Sequence, residues 1–231
     1  MMKVRYANER GHANHGWLDT WHSFSFAHYY DPEHMGISAL RVINDDTVAP
    51  GAGFGTHGHS DMEIVSYVLS GSLEHKDSMG FGTVIKPGEV QRMSAGTGVS
   101  HSEFNASSTE PVNFLQIWII PDSKGIEPGY EQKAFHDDLQ GKLRLVVSKD
   151  GREGSLSIHQ DVDLYASRLK VAETIDFTPD KGRTVYIHIA RGAVKINGVE
   201  LSHGDGVTLQ QEPQISIAAD SDSEFLLFNL P

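Results

Sequence analysis

The feature that most constrains this chain is an internal repeat. VLSGSLEHKD, Val68 to Asp77, is echoed by IARGAVKING, Ile189 to Gly198, so that Gly71 matches Gly192. Further on, Gly88 matches Gly204, and LQIWIIP ending at Pro121 resembles LLFNLP ending at Pro231. The offset shrinks along the second copy, as expected if its loops are shorter. A chain of 231 residues is long enough for two such units, each with its own core.

Between these landmarks the sequence reads as short strands set off by turn residues. SALRVIND, Ser38 to Asp45, is expected to be a strand with Leu40 and Val42 on one face, and Asp45 and Asp46 to begin a turn. IVSYVLSG has the β-branched and aromatic content of a buried strand, and SLEHKDSMGFG continues it as a hairpin with Gly80 and Gly82 at the tip. A strand, a Pro87-Gly88 turn and another strand follow, and FLQIWIIP closes the half. This spacing implies an all-β barrel or sandwich.

Residues 122–141 are polar and contain Pro128-Gly129, and read as the connection between the units. The expected domains are therefore 1–135 and 136–231, with the N-terminal segment able to lend strands to the other barrel. Near the start, Trp17, Trp21, Phe24, Phe26 and Tyr30 follow neither period cleanly. The alternation of Phe24 and Phe26 predicts a short strand, and Asp31-Pro32 a turn. Buried packing is the expected role of these rings, with the wall of a pocket for a planar ligand as the alternative.

Composition removes several functions. There are no cysteines, so disulfides, thiolate metal sites and cysteine nucleophiles are excluded, and any metal must be held by nitrogen and oxygen. A net charge of -12 with no basic cluster would repel phosphate backbones, which argues against direct nucleic-acid binding. The first residues are polar where a signal peptide needs an apolar core, and no run approaches membrane-spanning length. The expectation is a cytoplasmic protein.

Two stretches carry chemistry. GFGTHGHSDME, Gly53 to Glu63, and GTGVSHSEFN, Gly96 to Asn105, each place polar ligands two residues apart. On extended strands such residues share a face, so His57 with His59, and His101 with Glu103, can aim into one cavity. Three imidazoles and a carboxylate suit iron, copper, nickel, cobalt, manganese or zinc, and are too nitrogen-rich for calcium or magnesium. Glu63 shares parity with a histidine pair as well, so spacing leaves Glu63 and Glu103 in contest as the carboxylate. The remaining histidines of the thirteen, His188 and His203 among them, are expected to be structural or exposed.

The repeat acts as a control on this reading. The offset from Gly71 to Gly192 carries His57 and His59 onto Thr178 and Asp180, and Glu63 onto Thr184. Near the counterpart of His101 the second copy has QISIAADSD, again without an imidazole. The second unit can share the shape of the first but not its metal chemistry.

Gly51, His57, His59, Glu63 and Gly71 resemble the first cupin motif, with one extra residue between Glu63 and Gly71, and Gly98, His101 and Asn105 resemble the second. Gly96 stands where many cupins have proline. The chain is more narrowly similar to pirin-type bicupins, over most of its length, including HGWLDTWHSFSFAHYYDP and AGTGVSHSEFN. The resemblance implies two cupin-type, jelly-roll-like antiparallel β-barrels in one chain. It also implies that His57, His59, His101 and Glu103 hold one divalent metal, Fe(II), and that Glu63 is not a ligand.

By the same resemblance the activity is that of a quercetin 2,3-dioxygenase, cleaving a flavonol with O2 and releasing carbon monoxide. The metal would act as Lewis acid toward the flavonolate, and Glu103 as the general base that accepts the 3-hydroxyl proton. A non-enzymatic, redox-sensitive metal protein acting as a regulatory partner is the alternative, and a metal-dependent isomerase or hydrolase stands behind it. A monomer is expected, because each barrel has a sister within the chain.

Overall fold

The computed structural model describes residues 1–231, and its regular structure is strands joined by turns, with three short 3-10 segments and no α-helix. In chain order the first strands are β1 (Met2–Arg5), β2 (Gly11–Asn14), β3 (Leu18–His22), β4 (Leu40–Val48), β5 (Gly53–His59) and β6 (Glu63–Ser70). Then come β7 (Leu73–Asp77), β8 (Gly82–Ile85), β9 (Glu89–Ser94), β10 (Val99–Asn105), β11 (Val112–Ile119) and β12 (Gly129–Ala134). The second half holds β13 (Arg144–Ser148), β14 (Leu156–Ser157), β15 (Asp163–Leu169), β16 (Thr174–Phe177) and β17 (Thr184–Arg191). It ends with β18 (Ala193–Ile196), β19 (Val199–Ser202), β20 (Gly206–Gln210), β21 (Ile215–Ala219) and β22 (Ser223–Leu230).

Two compact units result. One comprises residues 11–136 and 156–160, the other residues 1–10, 137–155 and 161–231. In the first, a sheet ordered β12-β9-β6-β11-β4-β3-β2 faces a smaller one ordered β5-β10-β7-β8. Leu73 and Ile85 of the small sheet pack with Val48, Val68, Val112 and Phe114 of the large one. On the inner face of β11, Val112 and Phe114 are followed by Gln116 and Trp118, so the apolar floor gives way to polar and aromatic groups along one strand.

In the second unit β1, β20, β17, β22, β15 and β13 are successive neighbours, and β16-β21-β18-β19 form the smaller sheet. The two orders correspond strand for strand, with β6 matching β17, β11 matching β22 and β10 matching β21. Where β10 turns His101 and Glu103 inward, β21 offers Ile215, Ile217 and Ala219, all buried in one continuous apolar cluster. That barrel interior is filled with hydrocarbon and has no room for a polar centre.

The structure corrects three local expectations. Asp45 and Asp46 lie inside β4 and are buried, because Asn113 Nδ2 donates to Asp45 Oδ1 at 2.8 Å and burial raises the Asp46 pKa to about 7. Residues 122–141 are not only connection: β12 adds an edge strand along β9, with Tyr130 stacked on Phe81. The early strand is β3, and Phe24 and Phe26 follow it in irregular backbone where Phe26 bridges to Tyr29.

His188 of β17 is fully buried, and neither ring nitrogen has a hydrogen-bond partner. Burial, with Arg10 and His203 nearby, lowers its pKa to about 3. An unfolded histidine titrates near 6.5, so between those values the unfolded chain binds a proton that the folded one refuses. Stability is then lost as pH falls from about 6.5 toward 3, by about 1.4 kcal/mol per pH unit from this residue. Urea unfolding of His188→Leu is expected to show a shallower acid limb than the parent, and an unchanged limb would refute the assignment.

Candidate metal centre

β5 and β10 are antiparallel neighbours that set His57 directly opposite His101 and His59 opposite Val99. The three ring centroids stand 4.5 Å (His57 to His101), 4.8 Å (His57 to His59) and 4.9 Å (His59 to His101) apart. One ligand atom from each lies within 4.8 Å of the others. This register depends on Gly53. The β10 backbone bulges between His101 and Glu103, and a Cβ at Gly53 would stand 2.3 Å from the Glu103 carbonyl oxygen. Gly96, at the position of the cupin proline, has φ +47 and a Cβ there would meet the Ile126 carbonyl oxygen at 2.1 Å. That turn therefore requires glycine.

The protonation states suit a cation. His101 is 1 % exposed, and burial together with the neighbouring imidazoles lowers its pKa to about 3. Burial and His57 lower that of His59 to about 4. Both rings are neutral at pH 7 and offer a lone pair without first losing a proton. His57 Nδ1 donates to the Gly55 carbonyl at 2.8 Å, which leaves its Nε2 as the free acceptor. His101 Nε2 is buried without any partner. Three clustered imidazoles, one with a buried ring nitrogen that has no partner, are the donor set of a borderline transition metal.

Glu103 lies on the same face of β10 as His101 and is 2 % exposed; it groups with His101 and not with His57 and His59, whose cluster with His101 does not include it. Gln116 Nε2 donates to its Oε2 at 2.8 Å, and the Ser66 hydroxyl lies 3.3 Å from its Oε1 and 3.0 Å from Gln116 Oε1. Burial raises its pKa, opposed by the Gln116 hydrogen bond. Glu63 points elsewhere: its carboxylate accepts from the Ser94 hydroxyl at 2.8 Å and pairs with His159 at 3.2 Å. Burial raises its pKa too.

One histidine expected to be structural joins the site. His75 of β7 stands opposite Glu103, and His75, His101 and Glu103 form a second cluster with ligand atoms within 4.8 Å. The parity that singled out His57 and His59 applies equally to His75 and Asp77, two apart on one strand. Ser66 and Gln116 could also have been found, as polar residues inside apolar strand runs. On the outer side, Trp118 meets His59 edge-on at 5.0 Å and Phe26 meets Trp118 at 5.3 Å, so Phe26 of the N-terminal aromatic stretch forms part of the wall. A groove of about 360 Å³ opens beside His59, lined by Ser60, Ser78, Val99 and Ser100.

Two cupin-type units in one chain, one with convergent imidazoles and one filled with hydrocarbon, make this a metal-binding bicupin. The chain belongs to the pirin family: the Pirin family model matches residues 3–119, and that of the quercetinase C-terminal cupin domain matches residues 145–230. A quercetin 2,3-dioxygenase of Escherichia coli K12 is 57% identical over 231 residues, covering 100% of this chain and 99% of that protein. A putative quercetin 2,3-dioxygenase of Pasteurella multocida is 46% identical over the full length of both. The crystal structure of the E. coli bacterial pirin YhhW in complex with nickel(II) superposes with a TM-score of 0.95 at 55% identity, covering 100% of this chain and 99% of that one.

Proposed function

We propose that this chain is a metal-dependent dioxygenase that cleaves a flavonol such as quercetin with O2, releasing carbon monoxide, and that its native metal is Fe(II). The observation that carries the reading is the trio His57, His59 and His101, one ligand atom of each within 4.8 Å of the others, with Nε2 of His101 buried and unpartnered. The names of its full-length relatives support the reaction class.

His57, His59 and His101 would hold the metal through ring nitrogens, with Glu103 as the fourth ligand. When bound, the metal supplies Lewis acidity toward the 3-hydroxyl and 4-carbonyl oxygens of the flavonol. Displaced from the metal, Glu103 would accept the 3-hydroxyl proton. Burial raises its pKa, and Gln116 Nε2 donates to its Oε2 at 2.8 Å. Trp118 and Phe26, edge to face with one another, give an aromatic wall beside His59 for the substrate. No helix is long and apolar enough to cross a membrane. With this reading go a monomeric chain and a cytoplasmic location.

The test is an anaerobic complex of iron-loaded protein and flavonol to which oxygen is added. Loss of the flavonol absorption with one equivalent of carbon monoxide is expected. Intact flavonol in a fully iron-loaded sample would refute the proposal, and partner affinity that changes between ferrous and ferric protein would then favour a regulatory role.

A further inference from the structure

We propose that Asp77 and His75 are positioning residues that fix His101 as its Nδ1–H tautomer, so that Nε2 presents its lone pair to the metal. The inference rests on the metal reading of His57, His59 and His101 given above, and concerns groups behind them.

The chain of contacts begins at Asp77. Its Oδ1 accepts the backbone N–H groups of Met79 at 2.9 Å and Phe81 at 3.1 Å, which anchors the carboxylate in the β7–β8 turn. Its Oδ2 stands 3.0 Å from His75 Nε2, and both side chains are wholly shielded from solvent. A carboxylate in that position can only accept, so His75 Nε2 carries the hydrogen. The other nitrogen of that ring, Nδ1, faces His101 Nδ1 at 3.5 Å. Of two nitrogens so placed one must donate and the other accept, and with the hydrogen of His75 held at Nε2 by Asp77 the donor is His101 Nδ1. The lone pair of His101 is then left on Nε2, the buried atom without a partner.

The ring of His75 cannot easily turn to break the sequence. Tyr130 stacks on it at 5.1 Å and 29°, and Phe81 stacks on Tyr130 at 4.9 Å and 15°. The same reasoning decides between the two clusters that share His101. His75 spends its nitrogens on Asp77 and His101, so it supports the centre from behind, and the metal goes to the side of His57 and His59.

Asparagine at position 77 inverts the relay. Its Oδ1 would keep the two backbone hydrogens, and its amide hydrogens would face His75 Nε2. His75 must then accept there and donate from Nδ1, and His101 receives at Nδ1 and is protonated at Nε2. Asp77→Asn is the analogue of the wrong-tautomer substitution in the serine-protease triad. His75→Gln, by contrast, can donate its amide to Asp77 and accept from His101 with its oxygen, so it preserves the tautomer. His75→Leu removes the constraint.

The experiment measures imidazole nitrogen chemical shifts of His101 in the metal-free protein, and then Ni(II) affinity by competition with a chelator. Parent protein and His75→Gln are expected to show Nδ1–H, Asp77→Asn to show Nε2–H, and His75→Leu a mixture. Ni(II) affinity is expected to fall about 10–100-fold in Asp77→Asn and His75→Leu, and to stay near the parent value in His75→Gln. Should Asp77→Asn fail to fold, the two His75 variants decide alone. An Nε2–H tautomer in the parent, or one tautomer and one affinity across the folded variants, overturns the proposal. A parent that binds no Ni(II) while its tautomers follow this pattern refutes the metal reading and leaves the relay standing.

Discussion

Replacing His101 with alanine is expected to abolish metal binding and flavonol turnover while leaving the fold in place. His101 is the buried member of the trio and the partner of His57 across the β5–β10 ladder. Its loss removes one of three imidazoles, so the affinity should fall by more than the roughly 10–100-fold typical of losing a group behind a ligand. The cost to stability is small by comparison, since Nε2 of the ring makes no hydrogen bond and Nδ1 only the long contact to His75. Elemental analysis after loading with Fe(II), with thermal unfolding as control, checks this. A His101→Ala protein that keeps one metal per chain contradicts it.

The two buried glutamates are expected to fail in opposite ways. Glu103→Ala removes the buried carboxylate beside His101 and leaves Gln116 Nε2 without its acceptor. Metal occupancy should drop at limiting metal, and turnover should fall by at least about 100-fold if Glu103 is also the base. Glu63→Ala disrupts Ser94 and His159 instead, outside the trio. It should cost about 1–3 kcal/mol of stability, the price of a buried polar contact left unmade, with metal occupancy near that of the parent. Equal occupancies in the two variants, or the reverse order, would overturn the assignment of Glu103 as the carboxylate ligand.

The contrast shows what could be read from the chain and what could not. The repeat, the Gly turns and the apolar closing runs are local patterns, and they predicted an all-β duplication whose two strand orders correspond in the structure. The pairs His57 with His59 and His101 with Glu103 were legible because strand parity alone brings two side chains of a strand to one face. Glu63 against Glu103 was not, because each satisfies parity with a nearby histidine; only the pairing of strands shows that the side chain of Glu63 meets Ser94 and His159 while that of Glu103 meets Ser66 and Gln116. The role of His75 was hidden for the same reason: it depends on β7 lying along β10, a contact 26 residues away in sequence. Asp45 and Asp46 misled in the other direction. Acidic residues read as a turn, but hydrogen bonds from neighbouring strands and a raised pKa let them stay inside β4.

The most direct measurement is anomalous diffraction at the nickel edge from crystals of the full chain loaded with Ni(II). A single peak is expected in the first unit, about 2.1 Å from one ring nitrogen each of His57, His59 and His101, at Nε2 for His101, with a Glu103 oxygen as fourth ligand. A peak bounded by His75, His101 and Glu103 without His57 and His59, or no peak in this unit at full loading, would contradict it.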